Sequence, residues 1–366
     1  MRVVIFAGPT GGHFFPALAA AESLKKKHPE AEILFVTGRR GGLLVEKARS
    51  RIEAQFRFLP DFPFPRTKGP DFIIQVLPFL IKLCASFIAV NRIFNEFRPE
   101  LCMGFGSYIA FPGILVSRMR KIPGLIHEQN YEMGKANAWL ARSAVRAALS
   151  FEGKAGTVTG LPLRAALLEA AARQKSRKLT AGGFRIMIVG GSQGAQGLNE
   201  LWKKTLQLFS HEEKMKLAVT HITGEKDFSA LKTMYQENGI RASVFPFYDS
   251  MEELYSETDL ALTRAGAGTL FELAAFGVPA LVVPYPHAEA HQEKNAIYFE
   301  KRGGVRVLPE KTSTPLEFKM AVTELMNSEP LRNQMSQAIG KLALPDAGDK
   351  LAEICGELLM KEVCAA

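Results

Sequence analysis

Short β-rich apolar runs alternate along the chain with amphipathic stretches of helical period, the pattern of a parallel α/β fold. In the first half the runs predict strands at Arg2–Ala7, Glu32–Thr37, Leu101–Met103, Gly124–His127 and Val145–Leu149. The pattern then breaks and restarts, predicting strands at Phe184–Val189, Leu217–Ile222, Ser243–Phe247, Asp259–Leu262 and Ala280–Pro284. Two segments read as a chain beginning afresh. MRVVIFAGPTGGHFFPALAAAESL is a strand, a glycine-rich turn and a helix, and FRIMIVGGSQGAQGLNELW from Phe184 repeats the design. Between them, Thr159–Arg164 (TGLPLR) is a crossing point, followed by a polar segment to Gly183. With 366 residues to house, the simplest architecture is two Rossmann-like domains facing each other across a cleft. Their spans are 1–160 and 161–344. The closing helical run, Lys350–Val363 within 345–366, could pack on either domain, a return to the N-terminal one included.

Composition changes this picture little. Hydrophobic residues at 47% and charged residues at 23% suit a soluble globular protein, and a net charge of +9 suits nucleic acid, anionic lipid or phosphorylated ligands alike. The four cysteines are widely spaced without a CxxC pair, against a disulfide framework or zinc site. Phe72–Val90 (FIIQVLPFLIKLCASFIAV) approaches the ~20 residues of a membrane span. Lys82 near its middle would cost about 2.5–3.5 kcal/mol there, and Pro78 and Gln75 add to the objection. The expectation is a helix that is partly buried or membrane-facing and does not span.

Candidate chemistry begins at the turns. Ala7–His13 (AGPTGGH) brings backbone close to a ligand and opens a helix whose free N–H groups favour an anion. It is neither GxGxxG nor a P-loop, and an ordinary strand-to-helix turn explains it equally well. His13 stands where such sheets open onto their ligand crevice. It is either a general base for an attacking hydroxyl or a histidine that hydrogen-bonds its loop. Gly190–Ala195 (GGSQGA) repeats the arrangement, with Ser192 as phosphate contact or helix cap. In Asp259–Gln292, a strand runs into the loop Arg264–Gly268 and a helix beginning near Thr269. Glu272, one turn in, can accept two hydrogen bonds from a ribose diol. Thr269-x-x-Glu272 is equally a capping box, a helix-start device that needs no ligand.

Taken together these pieces resemble the GT-B glycosyltransferases. Within them the chain is similar to the MurG family, the peptidoglycan N-acetylglucosaminyltransferases. TGGH (Thr10–His13), GFGSY (Gly104–Tyr108), HEQN (His127–Asn130), GLPLR (Gly160–Arg164), GGSQGA and AGAGTLFELAAFGVPALVVPYPHA, with Gln292 and Asn295, occur in family order over most of the chain. The resemblance implies transfer of GlcNAc from UDP-GlcNAc to the C4 hydroxyl of MurNAc in lipid I, giving lipid II with inversion. It implies that Thr10, Gly11 and Gly12 border the diphosphates, that Asn130 contacts GlcNAc hydroxyls, and that Arg164 and Ser192 contact the UDP diphosphate. Tyr248 would hold uracil through its backbone, and Ala267, Gly268, Thr269, Leu270 and Phe271 would line sugar and phosphates. Glu272 would bind ribose and Gln292 the sugar hydroxyls. His13 is then the first candidate base and Glu128 the second, with no metal or cofactor required.

The resemblance also recasts the apolar segment as a patch docking on the anionic cytoplasmic face of the inner membrane. Leu77, Ile81, Cys84 and Phe87 fall at near-helical spacing, with Lys82, Arg92, Arg66 and Lys68 as basic neighbours. The same stripe could instead pack in the N-domain core. Competing classes are another GT-B enzyme, such as a different UDP-sugar transferase or a UDP-GlcNAc epimerase, a nucleotide-dependent oxidoreductase, and an inert binding protein. The missing GxGxxG speaks against an oxidoreductase, and no nucleic-acid module accompanies the positive charge.

Overall fold

The computed structural model describes residues 1–61, 70–142, 146–153, 155–174, 183–191, 195–286 and 291–363, with 70–75 and 361–363 described by backbone alone. The chain folds as two compact units, Met1–Arg164 with Pro345–Ala366, and Ala165–Leu344.

The first unit runs β1 (Arg2–Ala7), α1 (Gly11–Lys27), β2 (Glu32–Gly38), α2 (Gly42–Arg49), β3 (Gln55–Leu59), α3 (Pro70–Phe97) and β4 (Leu101–Phe105). It continues through α4 (Ser107–Met119), β5 (Gly124–Glu128), α5 (Lys135–Ala141), β6 (Arg146–Leu149) and β7 (Thr157–Val158). The second unit starts α6 (Ala165–Arg173), β8 (Phe184–Val189), α7 (Gln196–Gln207), α8 (His211–Met215), β9 (Leu217–Ile222), α9 (Phe228–Glu237) and β10 (Arg241–Phe245). Then come α10 (Met251–Glu257), β11 (Leu260–Thr263), α11 (Ala267–Phe276), β12 (Ala280–Val282), α12 (His291–Glu300), β13 (Val305–Val307), α13 (Pro315–Asn327) and α14 (Glu329–Gly340). The last helix, α15 (Ala347–Val363), belongs to the first unit.

Each unit carries one sheet. The orders are β3-β2-β1-β4-β5-β6-β7 and β10-β9-β8-β11-β12-β13, with every pairing parallel. Side chains alternate across a strand, so Val3, Ile5 and Ala7 of β1 enter a core with α1, α2 and α15. Val4 and Phe6 enter another with α3 and α4. Both faces are covered, which is why β1 after Arg2 reads VVIFA without a polar residue. In the second unit Ile186 and Ile188 of β8 and Leu260 and Leu262 of β11 share a core with Trp202, Tyr235 and Phe318.

Helix α15 packs on α1: Leu351, Ala352 and Cys355 are buried in the β1 core, and Lys27 Nζ lies 2.7 Å from Glu353. Burying Leu351 alone contributes roughly 1.5–3 kcal/mol. The chain thus returns to its first unit after building the second.

Helix α3 has two apolar faces. Val90, Ile93 and Phe94 are buried against β2, β4 and α4, whereas Leu77, Leu80, Ile81 and Ile88 are large hydrophobics left exposed, with Cys84 beside them. The segment Val76–Phe97 is long and apolar enough to cross a membrane by length and composition. Its inner face, however, is part of the first unit's core. One expected membrane-facing residue is corrected here. Phe87 is half-buried and packs on the Val4–Phe6 core, because 87, 90 and 94 share one helical face while 77, 81, 84 and 88 share the other. Arg66 and Lys68 lie outside the described residues.

Candidate active site

Ligands of open parallel sheets bind beyond the carboxyl ends of the strands, where the strand order reverses. In the first unit that point lies between β1 and β4, whose last residues Ala7 and Phe105 are paired. The turns that follow them start side by side, and each opens a helix. Neither helix receives a side-chain cap: Thr10 precedes α1 with an extended backbone, Gly106 precedes α4, and neither first turn holds an acidic residue. Helices α8 and α13, by contrast, begin with complete capping boxes at Ser210/Glu213 and Thr314/Glu317. The N–H groups of Gly11 and Gly12 are among those left without an intrahelical partner at a positive helix end. Thr10 and Gly12 are exposed there.

His13 lies in this first turn. Its Nδ1 is 2.9 Å from Gln129 Oε1, on the loop after β5. Gln129 Nε2 in turn donates to the His127 carbonyl at 2.9 Å and faces His127 Nδ1 at 3.1 Å, and His127 Nε2 meets the Gly160 carbonyl at 3.0 Å. His127 is neutral at physiological pH, because burial pushes its pKa down to about 4 against smaller opposing effects of Gly160 and Glu128. Gly106 is held at φ +70°, and a Cβ on it would come within 3.1 Å of His13 Nδ1. The space beside the imidazole therefore requires glycine for both conformation and room. Ser107 next to it also has a positive φ, of 65°.

Glu128 is corrected as a candidate base. Its buried carboxylate accepts from Asn130 N (3.0 Å), Asn130 Nδ2 (3.3 Å), Gly134 N (3.0 Å) and Asn137 Nδ2 (2.8 Å). Four donors occupy both oxygens and fold the loop into α5, so the group organises backbone and leaves no lone pair directed at a substrate. Asn130, expected to touch sugar, leans on this carboxylate. Arg164, at the end of the unit, is buried with its guanidinium 5.3 Å from the Phe15 ring. Its Nε has no hydrogen-bond partner among the described residues, a position that a ligand or water normally fills.

In the second unit the order reverses between β8 and β11, where Val189 pairs with Thr263. The two ends of the turn after β8 lie close together, since a Cβ on Gly190 would collide with Ala195 N at 2.6 Å. Ser192 lies outside the described residues. The loop after β11 leads into α11, which starts at Ala267 with Gly266 as an uncapped N-cap. This start removes the capping-box alternative: Thr269 is two residues inside the helix and cannot serve as its cap. Glu272 is held instead by Tyr255, whose hydroxyl donates to Oε2 at 2.7 Å from beneath. Ala267, Gly268 and Thr269 form the first turn, whose N–H groups are free of helix partners. Leu270 and Phe271, expected to line sugar and phosphates, turn their side chains into the core. Both side chains are buried, Phe271 edge-on to Phe299, and Leu270 N–H already bonds the Gly266 carbonyl.

Arg264 points inward. It donates through Nη1 to the Val283 carbonyl at 3.1 Å and pairs with Glu310, tying the loops after β11, β12 and β13 together. Gln292 is divided in its duties. Its oxygen accepts from Ala265 N at 3.2 Å and Tyr285 N at 2.9 Å, leaving the NH2 group without a hydrogen-bond partner among the described residues. Asn295, fully buried, holds the Ala265 carbonyl. Tyr248 lies three residues beyond β10 with its hydroxyl on Glu253 and its ring on Phe245. The supporting residues Tyr255, Glu310, Gln129 and Asp61, which accepts from Tyr108 at 2.6 Å, were not legible as such. Only Gln129, inside HEQN, stood in a segment already singled out.

Two parallel sheets, each closing its switch point with a glycine turn and an uncapped helix, one carrying a buttressed glutamate and the other a histidine, define a GT-B glycosyltransferase. Comparison with known proteins agrees in both halves. Residues 3–149 match the glycosyltransferase family 28 N-terminal domain and 185–351 its C-terminal domain. The chain belongs to glycosyltransferase family 28 and, within it, to the MurG family. It is 33% identical to the UDP-N-acetylglucosamine--N-acetylmuramyl-(pentapeptide) pyrophosphoryl-undecaprenol N-acetylglucosamine transferase of Thermodesulfovibrio yellowstonii, over 99% of this chain and 100% of that protein. The protein of the same name from Methylococcus capsulatus is 34% identical, over 97% and 98%. The crystal structure of Acinetobacter baumannii MurG superposes with a TM-score of 0.75 at 28% identity, covering 97% of this chain and 99% of that one.

Proposed function

We propose that the protein transfers GlcNAc from UDP-GlcNAc to the C4 hydroxyl of MurNAc in undecaprenyl-pyrophosphoryl-MurNAc-pentapeptide, forming lipid II with inversion. The observation that carries this is the chain-long similarity to transferases of that name, spread over both units and not confined to the donor motif. In the reaction the acceptor oxygen attacks C1 of GlcNAc, the C1–O bond to the β-phosphate breaks, and the electron pair leaves with UDP. His13 takes the hydroxyl proton on Nε2. Charge growing on the leaving diphosphate is met by the uncapped first turn of α11, with Arg164 and Ser192 as further contacts. Glu272, steadied by Tyr255, accepts from the ribose hydroxyls, and the Gln292 NH2 group donates to a sugar hydroxyl. Tyr248 contributes its backbone to uracil, and Asn130 contacts GlcNAc.

The acceptor's diphosphate belongs at Gly11 and Gly12, beside His13. The exposed face of α3, centred on Leu77, Ile81, Cys84 and Ile88 with Lys82 and Arg92 nearby, enters the headgroup region of an anionic membrane surface. That gives a peripheral position on the cytoplasmic face of the inner membrane. Transfer of labelled GlcNAc to a soluble lipid I analogue tests the proposal. Product that requires both the donor and the analogue supports it. UDP release or sugar epimerisation that ignores the analogue sinks it in favour of another GT-B activity.

A further inference from the structure

We infer that Gln129 is a positioning residue for His13: it fixes the imidazole as the Nδ1–H tautomer and so leaves Nε2 deprotonated to take the acceptor's proton. The inference rests on His13 as the base of the proposed transfer. It is drawn from the polarity of one chain of hydrogen bonds, which is set at its far end. The Gly160 carbonyl, 3.0 Å from His127 Nε2, can only accept, so the His127 hydrogen sits on Nε2 and Nδ1 is an acceptor. The His127 carbonyl can also only accept. Both it and Nδ1 face the same end of the Gln129 carboxamide, at 2.9 and 3.1 Å. That end is therefore the NH2 group, and the end 2.9 Å from His13 Nδ1 is the oxygen. An amide oxygen cannot donate, so the hydrogen lies on His13 Nδ1, and in the neutral ring Nε2 carries none.

The surroundings make this orientation rigid. Gln129 is 2% exposed and His127 1%, so neither can exchange its partner for water. The Gly106 turn closes over the pair, since a Cβ there would come within 3.4 Å of Gln129 Oε1. Neutral His127 keeps the far end of the chain from reversing. A glutamate at 129 would keep the acceptor facing His13 but lack the NH2 group that ties the side chain to the His127 carbonyl and Nδ1. A neutral amide orients the imidazole without adding charge beside it. Titratable groups on the elements round His13 include His127 and Glu128 of β5, Tyr108 of α4, and Arg164 over Phe15. Among the described residues His13 makes no hydrogen bond to any of them, and Gln129 is its one side-chain partner.

The test compares Gln129→Leu and Gln129→Glu with the unaltered full chain. The readouts are kcat against pH with a lipid I analogue, KM for UDP-GlcNAc, and ring 15N shifts of His13 assigned with His13→Gln. Gln129→Leu should lose the Nδ1–H signature and ten- to a hundredfold in kcat, at nearly unchanged KM for the donor. Gln129→Glu keeps the acceptor and replaces a neutral partner by a carboxylate. It should restore the tautomer, recover much of kcat, and move the acid limb of the profile up by about one unit or more. A folded Gln129→Leu protein with an unchanged tautomer overturns the inference. If that variant does not fold, an unmoved acid limb in Gln129→Glu overturns it equally. A lost tautomer with an untouched kcat profile supports the positioning role and overturns His13 as the base, so the two failures are told apart.

Discussion

Acid should unfold the two units through two buried histidines, and the second unit offers the cleaner measurement. His221 in β9 is fully buried in a chain of hydrogen bonds. Trp202 Nε1 donates to Tyr235 Oη (2.7 Å), the Tyr235 hydroxyl to His221 Nδ1 (2.9 Å), and His221 Nε2 to Asn199 Oδ1 (3.1 Å). Burial lowers its pKa from 6.5 to about 3. The neutral form is the one the fold accepts, whereas the unfolded chain takes up a proton near pH 6.5. The stabilisation is therefore complete above pH 6.5 and is lost as pH falls from there towards 3, at about 1.4 kcal/mol per unit. Between pH 7.5 and 5 the loss is about 2 kcal/mol. Carboxylates held low by their partners, such as Glu213, Glu317 and Glu324, weaken only below that window. The chain has 2 tryptophans, Trp139 in α5 and Trp202 in α7, so a Trp139→Phe background confines the fluorescence signal to the second unit. Urea titrations in that background should lose about 2 kcal/mol over the window. His221→Gln, less stable at every pH, should lose its share of the slope. An equal slope in both proteins would refute the assignment.

Other perturbations follow from the same contacts. Glu128→Ala removes the carboxylate that accepts from two backbone and two amide donors and should lower first-unit stability by roughly 2–4 kcal/mol in urea titrations read at Trp139. Full stability with activity alone abolished would return Glu128 to the role of base. Glu272→Gln should weaken UDP binding by about tenfold in calorimetry, or about 1.4 kcal/mol, and Tyr255→Phe by less, since it removes only the buttress. Equal affinities in all three proteins would argue for a glutamate that merely packs. On α3, Ile81→Ser with Ile88→Ser should reduce flotation with anionic vesicles while leaving the melting temperature nearly unchanged. Phe87→Ser should do the reverse, at about 2–3 kcal/mol of stability. Flotation that tracks Phe87 would reverse the two faces of the helix.

Most strands legible in the sequence are buried on both faces, because such strands carry a near-continuous apolar run. β3, β7 and β13 sit at or near sheet edges. β3 reads QFRFL with Gln55, Arg57 and Phe58 exposed, and β7 has two residues. β10 was read two residues late for the same reason. Its residues are half-covered at an edge, and its ends are set by pairing Arg241 with Ala218. The glycine turns were legible because they follow buried strands directly. The helix start at Ala267 was not, since it depends on Gly266 taking an extended backbone with no side-chain cap to mark it. Phe87 was misplaced because a stripe at helical spacing identifies neighbours but not which of two apolar faces meets the core.

The polar site residues divide on a criterion that no motif contains: how much hydrogen-bonding capacity the fold has already used. Glu128 and Gln292 both lie on the ligand side of a sheet and both stand in segments that resemble the family. Glu128 has both oxygens occupied by its own loop, so its position in HEQN explains loop geometry. Gln292 commits only its oxygen, to the backbones of Ala265 and Tyr285, which fixes the direction of an NH2 group still able to donate. His13 commits Nδ1 and so defines what Nε2 can do. In each case the contact that takes up one atom orients another, and preorganised groups of this kind lower a barrier without reorganising during the reaction. Substituting the partner should therefore act on turnover through geometry. Substituting Gln292 itself should remove the contact, raising KM for UDP-GlcNAc along with any fall in kcat. A Gln292→Leu protein with unchanged KM and kcat would show that the amide, though correctly aimed, has no substrate group to meet.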